Sequence, residues 1–127
     1  MDIATILWLH DRIGNAVPLF MALLGILSIF NYIRGRGLDG GMIGAIVVGE
    51  IMMIVMAGLG ITLFIAFNRI QNLSIHFLYG SLSVIFLPGL WMYTRGETDR
   101  RASLIWGVAG FFMMGLTLRA IGTAGQF

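Results

Sequence analysis

The chain contains no cysteine and no lysine, only two histidines and two prolines, and few charges of either sign. Without cysteine there can be no disulfide, no thiolate metal site and no iron–sulfur cluster. Charged residues make up 11% of the 127 and hydrophobic residues 58%, whereas an ordinary soluble domain is roughly 25% charged. That composition argues against a water-soluble fold. Eight arginines against six acidic residues leave a formal charge of +2, too slight a balance to mark a nucleic-acid surface.

What remains is apolar and continuous. Residues 13 to 33, 40 to 68, 70 to 94 and 102 to 118 carry almost no charge apart from Glu50. A bilayer core of about 30 Å needs about 20 such residues in a helix, so each segment is expected to span. The expected fold is an all-α integral membrane protein, one bundle over 1–127. Its spans are TM1 about 14–33, TM2 about 41–67, TM3 about 74–94 and TM4 about 103–121, with no room between them for a soluble domain. The start, Met1-Asp2, has no basic region or small-residue cleavage pattern, so TM1 is read as retained rather than cut off as a signal. The short turn from Gly35 to Gly40 predicts that TM1 and TM2 form an antiparallel hairpin, and TM3 and TM4 a second one. Arg34, Arg36, Arg95, Arg100 and Arg101 share one side, against Arg12, Arg69 and Arg119 on the other. Basic loops prefer the cytoplasm, so both termini are expected on the outer side of a bacterial cytoplasmic membrane.

Residues 1 to 12 carry Ile3, Ile6, Leu7 and His10 at helical spacing, with Trp8 as an interfacial anchor. They either lie on the outer surface or extend TM1, because Gly14, Asn15 and Pro18 can start a helix or bend one. TM2 opens with a row of small residues, Gly37, Gly41, Ala45 and Gly49, beside a second row at Gly40 and Gly44. Such ridges let helices approach closely in lipid. Asn72 or Ser74 can cap TM3, and Pro88 is expected to kink it near Val84. Arg119 at the end of TM4 is expected to snorkel to the headgroups. The two hairpins share an order of features. His10 and Gly14 match His76 and Gly80; Tyr32, Arg34 and Gly35 match Tyr93, Arg95 and Gly96; Gly58 to Leu63 resembles Gly115 to Leu118. This is a short parallel repeat.

Two imidazoles facing each other across a four-helix bundle form the usual cage of a six-coordinate b-type haem. His10 and His76 fall on one side of the membrane, where Arg12, Arg69 and Arg119 are candidate partners for haem propionates. Axial counting sets a condition on this pairing. His10 is about 33 Å from Tyr32 and His76 about 26 Å from Tyr93, so if the tyrosines are level His10 stands a turn too far out. The alternative is that both histidines are interfacial residues facing water or headgroups.

The order Leu9-His10-Asp11-Arg12-Ile13-Gly14, then Gly58-Leu59-Gly60-Ile61-Thr62, then His76 followed by Gly80, resembles one half of the haem A synthase family and, more distantly, small di-haem cytochromes b. The likeness covers roughly residues 9 to 85. It implies a four-helix half-molecule with paired histidine ligands at His10 and His76. Asp11 stands where that family has an adjacent His-Arg pair, and the chain has neither a second half nor a cysteine pair.

Glu50 is the other candidate. Nine residues beyond Gly41 put it about 14 Å into the membrane, where an ionised carboxylate costs at least about 2.5 kcal/mol on insertion scales. It must be neutral or paired, and Ser28 and Ser83 are the polar groups nearest in depth. Its readings are a carboxyl bonded to a neighbouring helix, a contact to a partner subunit, or a proton relay. The apolar surroundings favour the first two over the relay. The nine methionines are scattered, which suits flexible packing rather than a metal path. No hydrolase or phosphate-binding pattern occurs. On these grounds the first expectation is a non-catalytic membrane subunit. It would stabilise a larger respiratory or photosynthetic electron-transfer complex, with Glu50, Gly41, Ala45 and Gly49 as contact or buried polar positions. The second is a bis-histidine b-type cytochrome, and the third a haem-biosynthesis enzyme.

Overall fold

A computed structural model describes residues 2–67 and 73–123, without the side chains of residues 66, 67, 73, 74 and 123. The described residues form four α-helices and no strand: α1 (Ile3–Ile33), α2 (Gly40–Phe67), α3 (Leu73–Tyr93) and α4 (Arg100–Thr123). All four are long and apolar enough to cross a membrane.

Aspartates set the helix starts. The Thr5 N–H donates to Asp2 Oδ1 at 2.9 Å, Met42 N–H to Asp39 Oδ1 at 2.8 Å and Ala102 N–H to Asp99 Oδ1 at 2.9 Å. Each carboxylate takes up a backbone donor that the first turn leaves without an intrahelical partner. The bond from Thr5 holds the Asp2 carboxyl below its usual range. This is why α2 starts at Gly40 and α4 at Arg100, earlier than the charge-free cores of those spans. The expected cap of TM3 at Asn72 or Ser74 lies outside the described residues and side chains.

Of the two alternatives for the first twelve residues, the structure takes the continuous one. α1 runs unbroken for 31 residues with Pro18 buried inside it. At 1.5 Å per residue that is about 46 Å, longer than a bilayer core, so its ends reach past the apolar slab or it tilts. α3 likewise carries Pro88 within a single helix.

The repeated Tyr-x-Arg-Gly segments both end their helices in the left-handed conformation, but one position apart: Gly35 takes it after α1, whereas Arg95 (φ 56°) already takes it after α3. Gly35 (φ 75°) and Gly96 (φ 68°) both adopt the left-handed conformation. Arg36 N–H returns to the Asn31 carbonyl at 2.8 Å and Gly96 N–H to the Trp91 carbonyl at 3.1 Å. Glycine suits such a helix exit because it has no Cβ to crowd the carbonyl. The two connections then join each other. Leu38 N–H donates to the Thr98 carbonyl at 2.9 Å, Ser103 Oγ to the Arg36 carbonyl at 2.8 Å, and Arg100 Nε to the Tyr32 carbonyl at 2.9 Å.

Around the bundle the helices neighbour one another in the cycle α1, α2, α3, α4, and no Cα of α1 comes within 8 Å of one in α3. The closest pairing is α1 with α4. A Cβ at Gly110 would lie 2.6 Å from the Gly25 nitrogen, and one at Gly25 would lie 3.0 Å from the Gly107 carbonyl oxygen. Backbone meets backbone there, with Met21, Leu24, Trp106 and Met113 fully buried around the contact. In lipid such dispersion contact replaces the hydrophobic effect as the force between helices.

Gly110→Val is expected to destabilise the bundle by about 1–3 kcal/mol or more, the usual range for overpacking, because the obstacle is backbone. Gly44→Ala, where a Cβ meets nothing within 4 Å, is expected to leave stability unchanged. Thermal unfolding in detergent, followed by helical circular dichroism, checks the contrast.

Candidate functional site

A cleft of about 300 Å³ is lined from all four helices, most of all from α2 and α3. Its lining includes His10, Gly14, Met53, Met56, Gly60, His76, Gly80 and Thr117. The two imidazoles face each other with ring centres 6.4 Å apart and ring planes at 48°. The axial offset expected from helix lengths therefore does not keep them apart. That count took Tyr32 and Tyr93 as level markers. Yet Arg100 packs over the Tyr32 ring at 4.2 Å, while Tyr93 is 78% exposed. The two tyrosines thus have unlike surroundings, and the imidazoles meet in spite of the axial count.

The helices present these side chains for local reasons. His10 and Gly14, like His76 and Gly80, are four residues apart and so share a helix face; each histidine has a glycine one turn further on. A Cβ at Gly80 would meet nothing within 4 Å, and one at Gly60 would lie 3.4 Å from His10 Nε2. Gly60 thus lets the His10 ring pack close to α2, and Gly80 leaves open space one turn beyond His76, whereas beside Gly14 the space is taken by Met56, whose Cε would lie 2.9 Å from a Cβ there. His76 is oriented from α4: its Nδ1 lies 3.1 Å from the Ala120 carbonyl oxygen. A carbonyl only accepts, so Nδ1 carries the proton and the Nε2 lone pair is left available as a ligand. A second-shell bond of this kind fixes the tautomer of most metal-binding histidines. The Thr117 hydroxyl, also in the lining, donates to the Met113 carbonyl at 2.8 Å. The remaining walls are nearly all apolar.

This donor set is selective. Among the described residues no group of three or more histidines, cysteines and carboxylates is placed to hold a metal ion. Two imidazoles leave a bare ion under-coordinated, whereas a tetrapyrrole that brings four nitrogens needs only two axial ligands. With metal–nitrogen bonds of about 2.0 Å, two imidazoles on one metal have ring centres about 6 Å apart. The observed 6.4 Å fits that spacing.

The candidate propionate partners lie elsewhere. Arg12 is exposed with its guanidinium 5.4 Å from the Trp8 ring centre, and Arg119 is exposed 5.8 Å from the Tyr79 ring centre. Arg12 is two residues from His10, which places it on the opposite side of α1. Neither arginine lines the cleft, and Arg69 lies outside the described residues. The histidines thus come together without Arg12 or Arg119 in the lining.

Glu50 belongs to a separate groove between α2 and α3, about 350 Å³ in volume, with Ile43, Ile46, Leu87 and Trp91 among its walls. Its Oε1 is buried without a hydrogen-bond partner. Ser83 turns its hydroxyl to the Tyr79 carbonyl, 2.7 Å away, and Ser28 Oγ is itself buried and unpartnered. In the small-residue row only Gly49 is buried, packed on Met21, Phe20 and Leu87. Ala45 is half-buried and Gly41 is exposed.

Comparison with family models, curated proteins and solved structures finds no match. The site therefore stands on its own geometry. Sequence reasoning missed the α4 contribution, Ala120 and Thr117, and the methionines Met53 and Met56. The likeness of Gly115-Leu116-Thr117-Leu118 to Gly58-Leu59-Gly60-Ile61-Thr62-Leu63, the α2 segment that carries Gly60, was the one available signal.

His76 is expected to be the Nδ1-protonated tautomer. Solid-state nitrogen NMR of the ring-labelled protein in lipid checks this: Nδ1 should show the protonated shift and Nε2 the unprotonated one.

Proposed function

We propose that the chain is a b-type haem protein of a bacterial cytoplasmic membrane and that it passes electrons near the outer surface, with His10 and His76 as the residues that would hold the haem. The observation that carries this reading is the pair of imidazoles 6.4 Å apart in an apolar cleft, one of them oriented by a backbone carbonyl. A bound haem would supply one-electron exchange at its iron. The protein's own part is to present two nitrogens, to exclude water with Met53, Met56, Val17 and Val84, and to leave room beside Gly60 and Gly80. Arg12, Arg69 and Arg119 remain the cations nearest in sequence to that level, and engaging propionates requires Arg12 and Arg119 to leave the rings of Trp8 and Tyr79. Among the described residues the cleft lining has no carboxylate or arginine, and electron exchange rather than a biosynthetic reaction is the proposed activity.

The proposed topology is two antiparallel hairpins with both termini outside. It is supported by the bonds between the two connections and by the five arginines on that side.

A second reading has its own support. Gly40 and Gly44 face outward on α2, and a Cβ at either would meet nothing within 4 Å. An open small-residue face suits close packing against another membrane helix. It supports the role of an accessory subunit in a larger respiratory or photosynthetic complex, with or without haem.

The reduced-minus-oxidised spectrum of the purified protein, as isolated or after adding haemin, tests the first reading. A sharp alpha band with one haem per chain is expected, lost in both His10→Ala and His76→Ala. No band, or a band that survives His76→Ala, overturns haem ligation and leaves the accessory role.

A further inference from the structure

The α2–α3 seam opens twice. The upper opening is the histidine cleft; the lower is the groove that holds Glu50. They are one helical turn apart on both walls, since Met53 and Val84 line the upper opening while Glu50 and Leu87 line the lower. That is about 4.5 Å along each helix. Val47, Ile51, Pro88 and Met92 line the lower groove and are exposed, so its mouth faces the side of the bundle that lipid covers. A ligand enters it sideways from the bilayer.

We infer that this groove binds the ring of a membrane-soluble quinone, with the Glu50 carboxyl as its polar anchor. The walls are apolar and Trp91 supplies an aromatic face. The groove, at about 350 Å³, falls at the small end of ligand pockets, roughly 300–1,000 Å³. One feature selects the ligand class. Oε1 of Glu50 is buried and meets no donor or acceptor of the protein, and an unsatisfied polar atom at membrane depth is costly. Oε1 is closed off from the groove, so an occupant meets the carboxyl at its other oxygen, Oε2; acyl chains fill apolar walls but offer that oxygen no partner, and headgroups do not reach mid-membrane. A carboxyl both donates to a carbonyl and accepts from a hydroxyl. It therefore matches a ring whose oxygen is a carbonyl when oxidised and a hydroxyl when reduced. The inference deepens the electron-carrier reading by naming a class of redox partner for it, while quinone binding itself needs no haem.

The test uses the whole chain in phospholipid nanodiscs, titrated with decylubiquinone while tryptophan fluorescence is recorded. Trp91 is in the groove wall, so the quenching that disappears in Trp91→Phe reports binding there. Saturable quenching is expected. Its midpoint should rise roughly tenfold in Glu50→Leu, as for the loss of one good hydrogen bond, and return close to wild type in Glu50→Gln, whose amide also donates and accepts. Ile46→Trp, which fills the groove, should abolish it. Helical content and the dithionite-reduced alpha band are read in the same samples. If quenching rises linearly without saturation, or Glu50→Leu saturates as wild type does, the inference is overturned. A wild-type dimer that Glu50→Leu converts to monomer also overturns it, since a second copy would then cover the groove. A missing alpha band beside saturable, Glu50-dependent quenching removes the haem reading and leaves the quinone site standing.

Discussion

The structure depends on the approach of two backbones, α1 and α4, at Gly25, Gly107 and Gly110. In a bilayer apolar side chains gain little by leaving lipid for one another, so helices associate where their main chains come close. This bundle concentrates that contact on one side. Trp106, Met21 and Met113 are buried around it, and among the described residues the opposite side, between α2 and α3, packs least. Both openings lie along that looser seam. Tight packing on one flank and open space on the other are thus one arrangement, and the loose flank is where polar side chains collect.

Much of the fold was legible in the sequence because lipid imposes a simple rule: a run of about 20 apolar residues is a helix. The four spans follow from that rule alone. Their exact starts do not, because they are set by single carboxylates. Asp39 and Asp99 lie outside the apolar runs, and what they do becomes visible only once Met42 N–H and Ala102 N–H point at them. Prolines were ambiguous for a related reason. Pro18 removes one donor, but within an apolar helix the chain has no better option than to continue through it.

The site was legible in its ligands and illegible in its geometry. Two histidines in so apolar a chain stand out, and each is followed four residues later by glycine. Whether they meet depends on helix disposition, which a one-dimensional count along each axis does not contain. The arginines show the opposite failure. Counting them by side of the membrane placed them with the histidines, whereas helical phase turns Arg12 away from His10. The small-residue row was visible as well, and its Gly37 lies against the Thr98 carbonyl where no Cβ fits, yet the glycines that bring two helix backbones together belong to α1 and α4, where they do not form a regular stripe.

The bonded connections at one end of the bundle have a mechanical meaning. Leu38 to Thr98 and Ser103 to Arg36 tie the two loops together, while the histidines sit far from them along the helices. Such an assembly is a lever with its fulcrum at the loops. A rotation of about 5° there displaces the far end of a 30 Å helix by about 3 Å, enough to part facing walls without breaking the glycine contact. On the proposed haem reading, a rigid-body swing of this size would admit a flat macrocycle between the histidines without the unwinding of any helix.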